Sequence, residues 1–123
     1  MYHKAESWGA KAVVVSGTAL GADQTLWGLM EKQLKGKTTK FTAKGAPGKE
    51  PILDLLSGAQ PVLILMDEIL EYATKAAAVK VEASNLAAQT IAFVKDLTEA
   101  AGNLENVSLL ITLPSSIIEH YDE

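Results

Sequence analysis

The chain has no cysteine, no arginine and only two histidines, at positions 3 and 120. Without cysteine it cannot form disulfides, thiolate nucleophiles or zinc-thiolate sites, and this composition is typical of a reducing cytosol. Two histidines near opposite chain ends exclude a histidine triad and a multi-histidine metal site. All eleven basic residues are lysines, so an arginine that grips a phosphate at two points must come from outside these residues.

Long apolar runs are also missing. None approaches the ~18 residues that a membrane-spanning helix needs, and the first residues lack the apolar core of a signal peptide. We therefore expect a cytoplasmic protein without membrane contacts. The net charge of -4 leaves no overall field that would hold a polyanion, so direct binding of nucleic acid is disfavoured.

The remaining composition is that of a folded domain. With 48% apolar and 21% charged residues among its 123, the chain can bury a core and does not have the composition of a disordered protein. Its length fits one small domain or part of a larger one.

Three continuous apolar runs predict the strands: residues 11–16 (KAVVVS), 61–66 (PVLILM) and 107–113 (VSLLITL). The runs do not alternate between apolar and polar residues, which is typical of strands covered on both faces. Helical segments separate them, so crossovers must join the strands and the strands must pair in parallel. The sequence therefore predicts a three-layer α/β fold around a parallel sheet.

Four helices are predicted from apolar spacing and from their end signals. They span residues 23–34, 51–57, 68–78 and 84–101, with Asp23 as the cap of the first, Gly36 after its end, and Gly102 after the end of the fourth. Residues 35–50 form a long irregular stretch with five lysines. Such a charged stretch is usually a solvated loop.

An acidic pair follows the second apolar run, in the segment PVLILMDEILEY. Ligands of open α/β sheets bind at the carboxyl ends of the strands, where Asp67 and Glu68 are expected to lie. An aspartate there can hold Mg²⁺ through waters, and the following glutamate can orient or deprotonate an attacking water. Residues 62–68 thus fit a Walker B motif with its catalytic glutamate. The alternative is an acid pair that opens the next helix, because negative charge is favourable at a helix N-terminus.

Hydroxyl groups follow the third predicted strand, and Thr112 and Ser115 are the candidates for a role there. In a nucleotide hydrolase, a polar sensor at this position would contact the γ-phosphate or the attacking water. A turn or helix cap formed by the serines after Pro114 is the interpretation that these residues favour by themselves.

A phosphate-binding loop of the form G-x-x-x-x-G-K-[ST] is missing. Residues 36–38 (GKT) match its end, but Glu31 stands where the first glycine is required. Residues 48–50 (GKE) lack the final hydroxyl residue, and Ala43 replaces their first glycine. The phosphate-gripping half of a nucleotide site is therefore not within the 123 residues.

The chain resembles a family of prokaryotic AAA-type ATPases that is catalogued as a domain of unknown function, number four hundred and ninety-nine. The similarity runs almost end to end, through AVVVSGTAL, TLWGLMEKQL, APGKEPILDLL, PVLILMDEILEYA, FVKDLTEA and VSLLITLPSS. In that family a Walker A loop and its helix precede the segment that resembles residues 1–6 (MYHKAE). The resemblance therefore implies a fragment of a P-loop NTPase core that begins after the phosphate loop.

The resemblance also implies roles for single residues. Asp67 would lie on the metal side, Glu68 would be the catalytic acid, and Thr112 or Ser115 would be the sensor. Gly17 matches the family pattern without a known role. ATP and Mg²⁺ would be bound by the intact parent, and none is expected in the fragment.

The implied partners follow from the missing strand of the phosphate loop. That strand would lie beside the third strand, so its absence leaves an exposed sheet edge through which the fragment can form a homo-oligomer. The main partner is the remainder of the parent ATPase. Family members often occur beside DNA-methylation and phage-defence genes, which implies that the parent is an ATPase that acts on nucleic acid or on a partner. The fragment itself would reach nucleic acid only indirectly, through that parent.

From these residues we expect an ATPase fragment that carries the metal and hydrolysis half of the site and is inactive alone. The alternative is a complete small α/β protein-interaction module in which Asp67 and Glu68 only open a helix. A phosphoacceptor signalling domain ranks last, because residues 15–17 (VSG) offer none of the further acids that it needs.

Overall fold

The computed structural model describes residues 10–21, 23–81 and 84–112. These residues form nine elements around one core: β1 Lys11–Ser16, α1 Leu26–Lys35, α2 Lys49–Ser57, β2 Val62–Asp67, α3 Ile69–Ala76, β3 Lys80–Val81, β4 Ser84–Asn85, α4 Leu86–Gly102 and β5 Val107–Ile111. The predicted α/β class is confirmed.

Three strands form a parallel sheet in the order β1-β2-β5. β2 is central, and its Ile64 lies between Val13 of β1 and Leu109 of β5. All three predicted strands are present. The second is shifted by one residue, and the third ends at Ile111, while residue 113 lies outside the described residues.

The two faces of this sheet differ in burial. Val13, Ile64 and Met66 on one face are fully buried, whereas Val14 and Leu110 on the opposite face are 41% and 44% exposed. The chain passes from β1 to β2 to β5 in one direction, so right-handed connections place the intervening helices on the same face. The prediction of a three-layer fold is therefore wrong for the described residues, which form a sheet with helices on one side.

The helices pack as one layer on the buried face. α4 contacts α2, α3 and β5. The ring centroids of Trp27 in α1 and Phe93 in α4 lie 5.3 Å apart. In the part of the chain that the structure describes, no helix is long and apolar enough to cross a membrane.

All four helix starts differ from the sequence prediction: α2 begins at Lys49, two residues earlier than predicted, and α3 begins at Ile69, one residue later, while α1 and α4 also begin later. The N-cap of α1 is Thr25, whose hydroxyl accepts a hydrogen bond from the Gly28 amide at 3.0 Å. Asp23, the predicted cap, lies two residues too early. The N-cap of α4 is Asn85, one residue after the predicted start, because residues 84–85 pair with β3 in a short antiparallel ladder.

A side chain of α1 covers the outer edge of β1 at one residue, Val14. The Val14 amide donates to Gln33 Oε1, and Gln33 Nε2 donates to the Val14 carbonyl, both at 2.8 Å. The glutamine amide thus takes the hydrogen bonds that a neighbouring strand would take. On the other side of the sheet, no described strand pairs with the outer edge of β5.

The lysine-rich loop, residues 36–48, is fastened to a buried carboxylate. Glu31 of α1 is 3% exposed, and its Oε1 accepts hydrogen bonds from the backbone amides of residues 39–41 at 2.9 to 3.1 Å. Although its lysines are exposed, as a solvated loop requires, the backbone of the loop is held by the helix beside it.

Candidate functional site

The carboxyl ends of the three parallel strands bring three of the predicted site residues, Asp67, Glu68 and Thr112, to one edge of the sheet. Ser16 of β1 lies beside Asp67 of β2 in the register. The Thr112 amide, just after β5, donates to the Met66 carbonyl at 3.0 Å. We call this edge the strand-end site, and it consists of Ser16, Gly17, Asp67, Glu68 and Thr112.

Asp67 is the last residue of β2, and its side chain is exposed. Its Oδ1 accepts a hydrogen bond from the Thr112 hydroxyl. This contact joins the ends of two neighbouring strands and restricts rotation of the Asp67 carboxylate. Thr112, a sensor candidate in the sequence, therefore has this carboxylate as its partner. Ser115, the other sensor candidate, lies outside the described residues.

Glu68 has a backbone conformation that is uncommon for a residue with a side chain. Its φ of 56° and ψ of 41° lie in the left-handed region, and among the described residues no other non-glycine residue has a positive φ. Such conformations cost on the order of 1–3 kcal/mol and cluster at functional sites. Glu68 precedes α3, but its side chain makes no capping hydrogen bond and is exposed. The carboxylate is therefore accessible.

The end of β1 packs closely against the acidic pair. The Gly17 amide donates to the Asp67 carbonyl at 2.7 Å, and the hydroxyls of Ser16 and Thr18 share a hydrogen bond at 2.9 Å. The sequence pattern does not single out Ser16 as a site residue. The available signal is that Ser16 ends the first apolar run, while Asp67 directly follows the second.

A lysine ties the loop after β1 to α3. Lys75 Nζ donates to the carbonyls of Thr18 and Leu20 at 3.3 and 3.1 Å. No motif in the sequence contains Lys75, and its partners are more than fifty positions away. Its role in this structure is to hold the loop that contains Thr18.

The donor atoms of the strand-end site suit a hard cation that arrives with a ligand. Within the described ranges, no group of three or more His, Asp or Glu side chains could hold a metal ion. Mg²⁺ in phosphate-handling sites is usually bound by one or two carboxylates, waters and substrate phosphates. Oxygen donors such as Asp67 and Thr112 are of the type that this ion prefers.

Two cavities lie apart from this site. One of about 640 Å³ lies between α1, α2 and the lysine-rich loop, and one of about 320 Å³ lies beside the start of α1. Neither is lined by Asp67, Glu68 or Thr112.

Comparison with protein-family models matches residues 20–120 to the DUF499 N-terminal domain. Comparison with curated proteins and with solved structures gives no match. The matched range includes the acidic pair and all of β2 and β5. Because it covers well over half of the 123 residues, the chain belongs to the DUF499 N-terminal domain family.

Proposed function

We propose that the strand-end site is the metal-binding and hydrolysis half of an ATP site, in a P-loop NTPase core of the AAA type. One arrangement carries this proposal: Asp67 ends the central strand, and Thr112 of the neighbouring strand donates to its carboxylate. Glu68 follows with an exposed carboxylate that makes no capping hydrogen bond.

Each residue has a distinct role in the proposed site. Asp67 would hold Mg²⁺, chiefly through its waters, and this ion would neutralise charge on the ATP phosphates. Thr112 keeps the Asp67 carboxylate in one orientation, so we propose a positioning role for it in place of direct sensing. Glu68 orients the water that attacks the γ-phosphate and accepts its proton.

The groups that bind the phosphates of ATP come from outside these residues. The 123 residues contain no phosphate-binding loop, whose amides and lysine supply most of the grip on a nucleotide. Two carboxylates that face the negative charge of ATP bind it poorly by themselves. The chain alone is therefore expected to show neither micromolar ATP binding nor turnover, and its main partner is the remainder of the parent ATPase.

The two edges of the sheet support this arrangement. Gln33 covers the edge of β1 at Val14, whereas the edge of β5 has no partner strand among the described residues. The family resemblance implies that the strand of the phosphate loop lies beside β5. Because an open strand edge recruits another strand, we propose that the chain alone pairs with a second copy through β5. Nucleic acid is reached only through the parent.

The test replaces Glu68 by Gln in the full-length protein that supplies the phosphate-binding loop. Glutamine keeps the size of the side chain but cannot accept the proton, so ATP hydrolysis should fall by about 100-fold or more while ATP binding is retained. The matched control is Glu71→Gln, which changes an exposed glutamate in the first turn of α3 and should leave kcat unchanged. Hydrolysis at the unmodified rate by the Glu68→Gln protein would contradict the proposal.

A protein-interaction module is the second candidate function, and the position of Glu68 directly before α3 favours it. Negative charge at a helix N-terminus contributes about 0.3–1 kcal/mol to stability. Under this hypothesis Glu68→Gln leaves ATP hydrolysis unchanged and lowers the free energy of unfolding by that amount. Hydrolysis assays and urea denaturation of the same variant therefore separate the two functions.

A further inference from the structure

We infer that Gly17 is a positioning residue, which sets the backbone of Glu68 and through it the location of the Glu68 carboxylate. The consequence for hydrolysis rests on the proposed function. The structural part of the inference concerns only the chain itself and can be tested without nucleotide.

The Glu68 carbonyl group lies against the α-carbon of Gly17. A Cβ atom added at Gly17 would lie 1.8 Å from the Glu68 carbonyl oxygen, 2.7 Å from the Glu68 carbonyl carbon and 3.3 Å from the Ile69 Cα. Ordinary contacts of a Cβ atom begin near 3.4 Å. All three neighbouring atoms belong to the backbone, which cannot rotate away as a side chain can. A residue with a side chain therefore fits at position 17 only if the Glu68 peptide moves.

The residues before Glu68 are held from both sides. The Gly17 amide donates to the Asp67 carbonyl at 2.7 Å, and the Thr112 amide donates to the Met66 carbonyl at 3.0 Å. These bonds fix the end of β2 between its two neighbours. The left-handed backbone of Glu68 is the turn by which the chain then leaves β2 and begins α3.

This turn determines where the carboxylate lies. Successive residues of a strand point to opposite faces, and Met66 is on the buried face while Asp67 is exposed. If β2 continued by one residue, Glu68 would point toward the helix-covered face. The left-handed turn leaves it exposed directly after Asp67, and the missing side chain of Gly17 provides the space for that turn.

The kinetic test is Gly17→Ala in the full-length protein. A displacement of a catalytic group by about 1 Å can lower the rate by about 100-fold, so kcat should fall by about that factor. The Kd for ATP should stay unchanged, because Gly17 contributes no side chain to nucleotide binding. The matched control is Gly102→Ala, where an added Cβ atom meets no atom within 4 Å, and both constants should be unchanged.

The outcomes separate this inference from the proposed function. If Glu68→Gln abolishes turnover but Gly17→Ala leaves kcat unchanged, the inference is overturned and the proposed function stands. If Glu68→Gln leaves turnover unchanged, the proposed function is overturned, and the structural part is decided on the chain alone.

On the chain alone, NMR measures the backbone of residue 68 through its amide-to-Hα coupling and its Cα and carbonyl chemical shifts. The left-handed values should be present in the unmodified chain and in Gly102→Ala, and should be lost in Gly17→Ala. Left-handed values at residue 68 in a folded Gly17→Ala chain would overturn the inference.

A second variant serves if Gly17→Ala does not fold. Glycine adopts positive φ without strain, so Glu68→Gly should raise the urea midpoint of the chain. Glu71→Gly, within α3, should lower it, because glycine is unfavourable inside a helix. Midpoints that fall equally in both variants would overturn the inference.

Discussion

Replacing Glu31 by Gln tests how the lysine-rich loop is held. The Glu31 carboxylate is 3% exposed and accepts hydrogen bonds from the amides of residues 39–41. Glutamine can keep its carbonyl oxygen on these three amides, but it loses the negative charge, and its NH₂ group replaces the Oε2 that accepts from the Lys40 amide and the Thr39 hydroxyl. Hydrogen bonds to charged groups contribute about 1.5–3 kcal/mol, and an unpaired buried donor costs about 1–3 kcal/mol. We expect the free energy of unfolding to fall by about 2–4 kcal/mol, from a typical total of about 5–15 kcal/mol.

Acidic pH should remove the same contribution. Burial of Glu31 works to raise its pKa, but hydrogen bonds from the amides of residues 39–41 and from the Thr39 hydroxyl outweigh burial and hold the pKa below its usual value of 4.5. The unfolded chain therefore takes up the proton more readily than the folded chain. The contribution is complete above pH 4.5 and is lost as the pH falls through the lower pKa of the folded state. The stability difference between the unmodified chain and Glu31→Gln should shrink accordingly.

Urea denaturation and limited trypsin digestion measure this effect. With a denaturant slope of about 1–3 kcal/mol per molar urea, the midpoint should fall by on the order of 1–2 M. Trypsin should also cleave faster after Lys37, Lys40 and Lys44, which lie in the released loop. Glu99→Gln, at an exposed position of α4, is the matched control and should change stability by less than about 0.5 kcal/mol. Equal midpoints and equal cleavage rates for the two variants would refute the reasoning.

Two further predictions concern the edge of β1 and a buried phenol. Gln33→Ala removes the amide that closes β1 at Val14, so a chain that pairs once through β5 gains a second open edge and should form assemblies larger than a dimer. Sedimentation velocity should show this for Gln33→Ala but not for the exposed Lys32→Ala, and equal sizes for both would contradict it. Burial raises the pKa of Tyr72 above its usual 10.0, so its contribution to stability is complete below pH 10 and is lost as the pH rises through the folded pKa. Stability should therefore decline more steeply above that pH for the unmodified chain than for Tyr72→Phe, and parallel curves would show that Tyr72 does not contribute.

The strands can be predicted from the sequence because they depend on local patterns. Continuous runs of valine, isoleucine and leucine identify strands of a parallel sheet, and the helical segments between them require crossovers. Asp67 and Glu68 directly follow the central run, so their place at the carboxyl edge follows from the strand itself. The same runs predict two covered faces, which is wrong for the described residues. An apolar run shows that a strand can be covered, but it does not show which segment of which chain covers it.

Features that depend on distant parts of the chain could not be predicted. The hydrogen bond between Thr112 and Asp67 requires the register of β2 against β5. Glu31 has the sequence signature of a surface residue, since only the folded loop brings amides to its carboxylate. β3 and β4 have two residues each, which is too short to show a period. A glycine after a strand indicates a turn, but the sequence does not show that the carbonyl of Glu68 lies against Gly17.

The most direct test of the ATP-site proposal is a structure of the full-length protein with Mg²⁺ and a nonhydrolysable ATP analogue. We predict that the γ-phosphate lies beside the strand-end site, that Asp67 binds the metal or one of its waters, and that the Glu68 carboxylate faces the position of the attacking water. A nucleotide bound at another place, or a metal ion without contact to Asp67 or to a water that Asp67 holds, would contradict the proposal.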